Sequence, residues 1–313
     1  MKKKKISIIS PCYNEEESII DCCEVIKKLF KNELNNYEYE HIIADNSSKD
    51  NSQNILEKIA KNDSNVRVII NQKNYGSQRS IFNALKYAKG DAIVLYMPID
   101  LQEPPSLIID FVKYWEKGYD IVYGFIKDRE QSFFMKTITN FFYFLLNILS
   151  TSKIPKHISN FQLVDKTILK EMLNVDDKTP FVRILPFAIS DNYYGFGYTW
   201  KKRLKGKSHE PYSSMFSTAI NALISVSSPF RIVLYFGVLV AFFSIMFSLF
   251  SFIQLYFFRP DVGRGIPLII ISVFFLSGVQ LFVLGFIGEY LTSINNQVRF
   301  KDKVVVKKTI NTE

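Results

Sequence analysis

Two long stretches without a single charge constrain this 313-residue chain most: residues 232–258, between Arg231 and Arg259, and residues 265–288, between Arg264 and Glu289. Each exceeds the roughly 20 residues a helix needs to cross a ~30 Å hydrocarbon layer. A buried soluble helix seldom runs that far uncharged, so the pattern predicts two membrane-spanning helices. The link Arg259-Pro260-Asp261-Val262-Gly263-Arg264 reads as a tight turn, which makes the pair a hairpin. An even number of spans leaves both flanks on one side. Basic residues crowd before the first run, and Arg299, Lys301, Lys303, Lys307 and Lys308 follow the second. Such charge marks the cytoplasmic side, although the two arginines of the link dilute the signal. The expected layout is a cytoplasmic domain over 1–228, two spans within 229–291 and a basic cytoplasmic tail over 292–313.

Hydrophobic residues make up 48% of the chain, but up to about residue 228 the pattern is that of a soluble α/β protein. Met1-Lys2-Lys3-Lys4-Lys5 leads into Ile6-Ser7-Ile8-Ile9, too short an apolar run for a signal peptide. Cys12, Cys22 and Cys23 have neither metal-site spacing nor an even count, which fits reduced cytoplasmic thiols. Net charge is +9. With two spans, that charge suits an anionic bilayer surface and phosphate-bearing ligands better than nucleic acid.

Apolar runs at 6–10, 39–44, 66–70, 93–99 and 120–125 read as strands, and helical spacing fills the intervals at 18–30, to about 61, and at 77–89. Strict strand–helix alternation predicts a parallel sheet with right-handed crossovers. Three successive strands end in polar residues: Pro11-Cys12-Tyr13-Asn14-Glu15-Glu16, then Asp45 to Ser52, then Asn71 to Gly76. An aromatic-rich segment near 131–149 and a second segment near 212–228 suit amphipathic helices lying in the membrane interface, with an ordinary core helix about as good a fit for the first.

The run Ile93 to Ile99 ends abruptly in Asp100-Leu101-Gln102-Glu103-Pro104-Pro105. In an open α/β sheet, ligands sit beyond the carboxyl ends of strands. If strand geometry persists, Asp100 and Gln102 point the same way and could hold a hard divalent cation that grips a diphosphate. An acidic helix cap followed by proline fits the same residues equally well.

Taken in order, Pro11 to Glu16, Asp45 with Ser48 and Asp50, Asn74-Tyr75-Gly76, and Asp100 to Pro105 resemble the inverting GT-A glycosyltransferases of family two. The likeness continues through Phe161-Gln162-Leu163-Val164-Asp165 and Arg203…Gly206-Lys207-Ser208 to the two spans and Gly288-Glu289-Tyr290-Leu291. That is similar to the membrane-anchored polyprenyl-phosphate glycosyltransferases, which include dolichol-phosphate mannose synthases and bacterial undecaprenyl counterparts. The resemblance implies a Rossmann-like GT-A domain, interfacial helices and a transmembrane hairpin. It implies a nucleotide-sugar donor at Pro11, Tyr13, Asn14, Glu15, Asp45 and Gly76, where the carboxylates suit a base edge and ribose hydroxyls. It further implies Mg²⁺ or Mn²⁺ on Asp100 and Gln102, and Lys127, Arg129, Arg203 and Ser208 around the lipid phosphate. Asp100, Arg129 and Arg203 would then be the catalytic set. Such families include homo-oligomers. Glu16 and Glu17 read instead as first-turn acids favouring the helix dipole, and Asp50 as a helix cap at least as readily as a ligand contact.

Three positions depart from the family pattern. Asn46 replaces a second aspartate, Pro98 occupies the first place of an Asp-x-Asp metal motif, and Asn160 stands where a base is often found, leaving Asp165 as a weak substitute. Two functions follow from this: sugar transfer from a UDP- or GDP-sugar to polyprenyl phosphate, or a catalytically silent nucleotide-sugar binder that assists a partner. A transferase acting on another lipid-linked or protein acceptor is a variant of the first.

Overall fold

The computed structural model describes residues 3–126, 155, 158–175, 181–199, 283–288 and 304–312, with isolated positions elsewhere between 246 and 294. Five strands arise early in the chain: β1 (Lys5–Cys12), β2 (Glu38–Asp45), β3 (Val66–Asn71), β4 (Ala92–Val94) and β5 (Ile121–Ile126). Between them run α1 (Ile19–Asn32), α2 (Ser52–Asn62), α3 (Ser77–Leu85) and α4 (Leu107–Trp115). Then come β6 (Ile158–Asp165), α5 (Lys166–Asn174), α6 (Leu185–Ile189), β7 (Tyr193–Tyr198) and, at the end of the chain, β8 (Val306–Ile310).

All eight strands form one sheet, in the order β7-β5-β6-β4-β1-β2-β3-β8. Its centre, β3-β2-β1-β4, is parallel. Side chains alternate between two cores on opposite faces. Ile8, Ile43, Val68, Val94 and Leu163 pack with α1, α2 and α4. Ile9, Ile42, Ile69, Ile93 and Val164 pack with α3, α5 and α6. Burial on both faces explains the near-continuous apolar runs of these strands. In α1 the buried Ile19, Cys22, Ile26, Leu29 and Phe30 follow helical spacing, so one face reaches the sheet and the other carries charge.

Two expectations need correction. The sheet is mixed, because β6 runs antiparallel between β4 and β5 and β8 runs antiparallel on β3. The regular ladder of β4 also stops at Val94, well short of Asp100. Leu95 and Met97 still donate N–H bonds to Gln162 and Ile9 at 2.8 Å, but Pro98 has no N–H to continue the pairing.

Among the described residues no helix is long and apolar enough to cross a membrane. The expected spans, the segments near 131–149 and 212–228, and the cations Lys127, Arg129 and Arg203 with Ser208 lie outside those residues, apart from 283–288 and isolated positions in the spans.

Candidate active site

Because β1, β2, β3 and β4 are parallel, their carboxyl ends open on one edge of the sheet. Each exit contains a residue in the left-handed region: Asn14 (φ 55) after β1, Ser47 (φ 64) after β2, Gly76 (φ 84) after β3 and Leu101 (φ 56) beyond β4. For asparagine and glycine this conformation is cheap, whereas for leucine it is strained. Strain of that kind persists only where surrounding contacts impose it, and it gathers at functional edges.

The first two exits interlock. Asn14 donates its N–H to Ser48 Oγ (2.9 Å), and its Oδ1 accepts the N–H of Lys49 (2.8 Å). Glu15 N–H donates to Ser52 Oγ at 3.1 Å. Asp45 is fully buried at the tip of β2, and its Oδ2 accepts from Ser48 N–H (3.1 Å) and Gln53 Nε2 (2.9 Å). Its Oδ1 has no hydrogen-bond partner among the described residues. Burial pushes the Asp45 carboxyl above its ordinary range, against the pull of Ser48 and Gln53. A buried acceptor left open beside solvent-facing loops suits a ligand N–H or hydroxyl, as a base edge or ribose supplies.

Asn46 holds the third exit. Its Nδ2 donates to Asn74 Oδ1 (2.8 Å), while its Oδ1 accepts from Tyr75 N–H (3.0 Å) and Asn71 Nδ2 (3.3 Å). An aspartate could accept both bonds but could not donate the first. The departure from the family pattern is therefore a structural choice: this asparagine ties strand β2 to the loop 72–76.

At the fourth exit, Gln102 N–H turns back onto Asp100 Oδ1 at 3.2 Å, around the left-handed Leu101. Strand geometry does not persist here, so the alternation argument for Asp100 and Gln102 sharing a side fails. A turn brings the two residues together instead. Asp100 and Glu103 are both buried, at 7% and 6% exposure. Glu103 Oε2 and the nearby Tyr198 hydroxyl complete no hydrogen bond among the described residues. Burial pushes the Glu103 carboxyl up to about 7; Tyr198 and Arg183 pull it down, and Asp100 pushes it up further.

No group of three or more His, Cys, Asp or Glu side chains that could hold a metal exists among the described residues. The oxygen set that is present, Asp100 and Gln102 beside the open Glu103 Oε2, still fits Mg²⁺ or Mn²⁺. Mg²⁺ commonly binds through one or two carboxylates, with substrate phosphates and water completing the shell.

The structure thus gathers Pro11, Tyr13, Asn14, Glu15, Asp45, Gly76, Asp100 and Gln102 along one edge. Asp165 is elsewhere. It pairs with Ala92 at the opposite end of β4, caps α5 through Thr167 N–H (2.8 Å) and accepts from Trp115 Nε1 (2.8 Å). It is no substitute base. Asp50 accepts from Ser52 N–H (3.0 Å) and Glu16 N–H (3.2 Å), so it ties the entry of α2, whose N-cap is Asn51, to the β1 exit. Glu16 in turn accepts from Asn51 N–H at 2.8 Å, so it braces the α2 entry rather than only the α1 dipole.

Sequence reasoning missed a cluster that reaches this edge from later elements. Gln162 is fully buried, with Nε2 bonded to the carbonyls of Ser159 (2.9 Å) and Arg183 (2.8 Å). Arg183 Nε donates to Asn160 Oδ1 at 3.0 Å, and its charge acts on both Glu103 and Tyr198. Gln162 lies in the stretch Phe161 to Asp165 and Asn160 just before it, but nothing in the sequence around Arg183 or Tyr198 marks them.

Fold and site together define an α/β protein whose polar strand exits gather at the carboxyl edge of a doubly wound sheet, where such folds place their ligands. The glycosyl transferase family 2 pattern matches residues 7–173, and the chain belongs to that family; it is a glycosyltransferase with a GT-A, Rossmann-like fold. It is 31% identical to the uncharacterized glycosyltransferase YkcC of Bacillus subtilis (strain 168), over 98% of this chain and 94% of that protein. It is 29% identical to the bactoprenol glucosyl transferase of Shigella phage SfII, over 97% of this chain and 98% of that one. Among solved structures, glucosyl-3-phosphoglycerate synthase from Mycobacterium tuberculosis, in complex with Mn²⁺, UDP-glucose and glycerol 3-phosphate, aligns with a TM-score of 0.49. That match has 16% identity and covers 71% of this chain and 78% of the synthase.

Proposed function

We propose that this protein transfers a sugar, with inversion, from a UDP- or GDP-sugar to polyprenyl phosphate at the cytoplasmic membrane face, supplying a lipid-linked sugar for cell-envelope glycans. End-to-end similarity to bactoprenol glucosyl transferases, including both uncharged runs, carries this assignment. Asp45, with its open Oδ1, and Glu15 take the nucleoside, beside Pro11, Tyr13, Asn14 and Gly76. Asp100 and Gln102 hold the divalent cation, which when bound neutralises charge on the departing nucleoside diphosphate. Lys127, Arg129, Arg203 and Ser208 receive the lipid phosphate.

A phosphomonoester has its second pKa near ~6, so the acceptor is already an oxyanion at neutral pH. The chain then has no need of a strong base, which accords with Asn160 being engaged by Arg183 and Asp165 lying at the wrong end of the sheet. Alignment and leaving-group stabilisation carry the rate.

Two observations support the membrane hairpin. At described helical positions of the second uncharged run, Ile269, Val273 and Leu284 are 63%, 55% and 62% exposed, as a lipid-facing surface would be. In addition, β8 follows that run yet joins the catalytic sheet, which accords with both flanks of a hairpin lying on one side.

The test is direct. Purified full-length protein given radiolabelled UDP-glucose, UDP-N-acetylglucosamine or GDP-mannose with Mn²⁺ and undecaprenyl phosphate should form an organic-extractable labelled lipid, and Asp100→Ala should lose it. Protein that binds nucleotide but converts no donor supports the silent-binder alternative, which Pro98 at the first place of the metal motif favours.

A further inference from the structure

The last described segment of the chain is not a loose basic tail. β8 pairs with β3 through Val68↔Ile310, Ile69↔Thr309 and Ile70↔Lys308, and then the register shifts to Asn71↔Val306. That bulge falls where β3 becomes the loop 72–76. Beyond it, Gln72 N–H donates to Val305 O (2.8 Å), and Val305 N–H donates to the Tyr75 hydroxyl (3.3 Å). Tyr75 is therefore held twice, by its own N–H on Asn46 and by its hydroxyl on the tail.

The far end of β8 is equally fixed. Arg67 Nε and Nη2 donate to the carbonyls of Asn311 (3.0 Å) and Thr312 (2.9 Å), while Nη1 pairs with buried Glu40 at 2.6 Å. Asn311 Nδ2 reaches the carbonyls of Ala60 (2.6 Å) and Val66 (2.9 Å). A frayed terminus would show none of this.

We propose that β8 is a positioning element of the donor site, with Val305 and Tyr75 holding loop 72–76 in the form that receives the nucleoside. This rests on the donor reading of the β1–β3 exits. Surface loops are ordinarily mobile, and a loop ordered before binding spares the ligand that cost. The Asp100 turn lies beyond β4, on the other side of β1 and β2 from β3. Loosening the clasp should consequently raise donor KM and leave kcat nearly unchanged.

The experiment uses the full chain in detergent, a truncation ending at Lys303, Val305→Pro, Tyr75→Phe, and Lys308→Ala as a β8 control whose ion pair with Glu57 lies away from the loop. Hydrogen exchange at 72–76 is measured without nucleotide, UDP and GDP affinity with Mn²⁺ by calorimetry, and KM and kcat with the active donor. Truncation and Val305→Pro should speed exchange at 72–76 and weaken nucleotide binding about five- to tenfold. Tyr75→Phe should move both in the same direction, and Lys308→Ala neither. Unchanged exchange at 72–76 overturns the proposal, as does accelerated exchange with nucleotide affinity within twofold of wild type. Should the truncated chain fail to fold, the two point variants decide by the same criteria. Wild type that binds neither UDP nor GDP sinks the donor reading instead, while loop exchange still judges the clasp.

Discussion

Asn46 carries three hydrogen bonds from a single 5%-exposed amide, and the direction of one of them decides which residue can stand there. Asn46→Asp would set a carboxylate oxygen against Asn74 Oδ1, which already accepts Gly76 N–H at 2.9 Å. A lost buried bond with an unsatisfied partner costs about 1–3 kcal/mol. The variant should lower the melting temperature and weaken UDP binding; a variant as stable and as tight as wild type would show that the amide hub is dispensable. The sequence revealed the departure from the aspartate pattern but not its reason. Whether a side chain donates or accepts depends on Asn71, Asn74 and Tyr75, which arrive from another strand exit.

Among elements, α5 shows how a motif position can mislead. Asp165 ends the stretch Phe161 to Asp165 that resembles a catalytic segment, yet its carboxylate caps a helix and accepts from Trp115. Burial alone would raise its carboxyl pKa, but Thr167, Trp115 and Lys166 outweigh it and hold the group below its ordinary range. Asp165→Ala should cost about 1–2 kcal/mol, the usual price of a lost cap, and leave kcat within twofold. A collapse of kcat with stability intact would restore it as a base. The first three helices and first strands were legible because period 3.6 and buried apolar runs are local signals. β8 was not: the bulge breaks its alternation, so that Val306 faces one core and Ile310 the other, with two lysines and a threonine between them.

For the whole molecule, buried ionisable groups set the response to pH. Burial pushes His41 down to about 3, so between that value and the ~6.5 of an exposed histidine the unfolded chain binds the extra proton and stability falls on acidification. Glu103 works in the opposite sense: raised to about 7, it favours the folded form as pH drops towards the ordinary ~4.3. Between pH ~4.5 and ~6.5 the two oppose each other, so the melting temperature of wild type should stay nearly flat. Glu103→Gln should expose a decline across that window. Below ~4.3 the carboxylates held low in the folded chain, Glu40, Asp63, Asp91 and Asp165, add a steep loss as pH falls through their folded values. A Glu103→Gln profile that matches wild type would reject this opposition. Topology is tested at the same scale. An epitope tag after Glu313 should resist protease in sealed right-side-out vesicles and be cleaved in inverted ones; the reverse would exclude a hairpin with both flanks cytoplasmic.

By itself the sequence determined the succession of strands and helices from β1 to α3 with the strands β4 and β5, the two uncharged runs, and the order of polar exits at Asn14, Asp45, Gly76 and Asp100, because each depends on residues adjacent in the chain. Only the tertiary structure decided the antiparallel entry of β6, the placing of Arg183 and Tyr198 beside Glu103, the far-end position of Asp165, and the return of β8 to the edge of β3. Strand partners and register are set by packing between distant segments, and a one-residue shift moves every side chain to the other face. Local pattern carries no record of that choice.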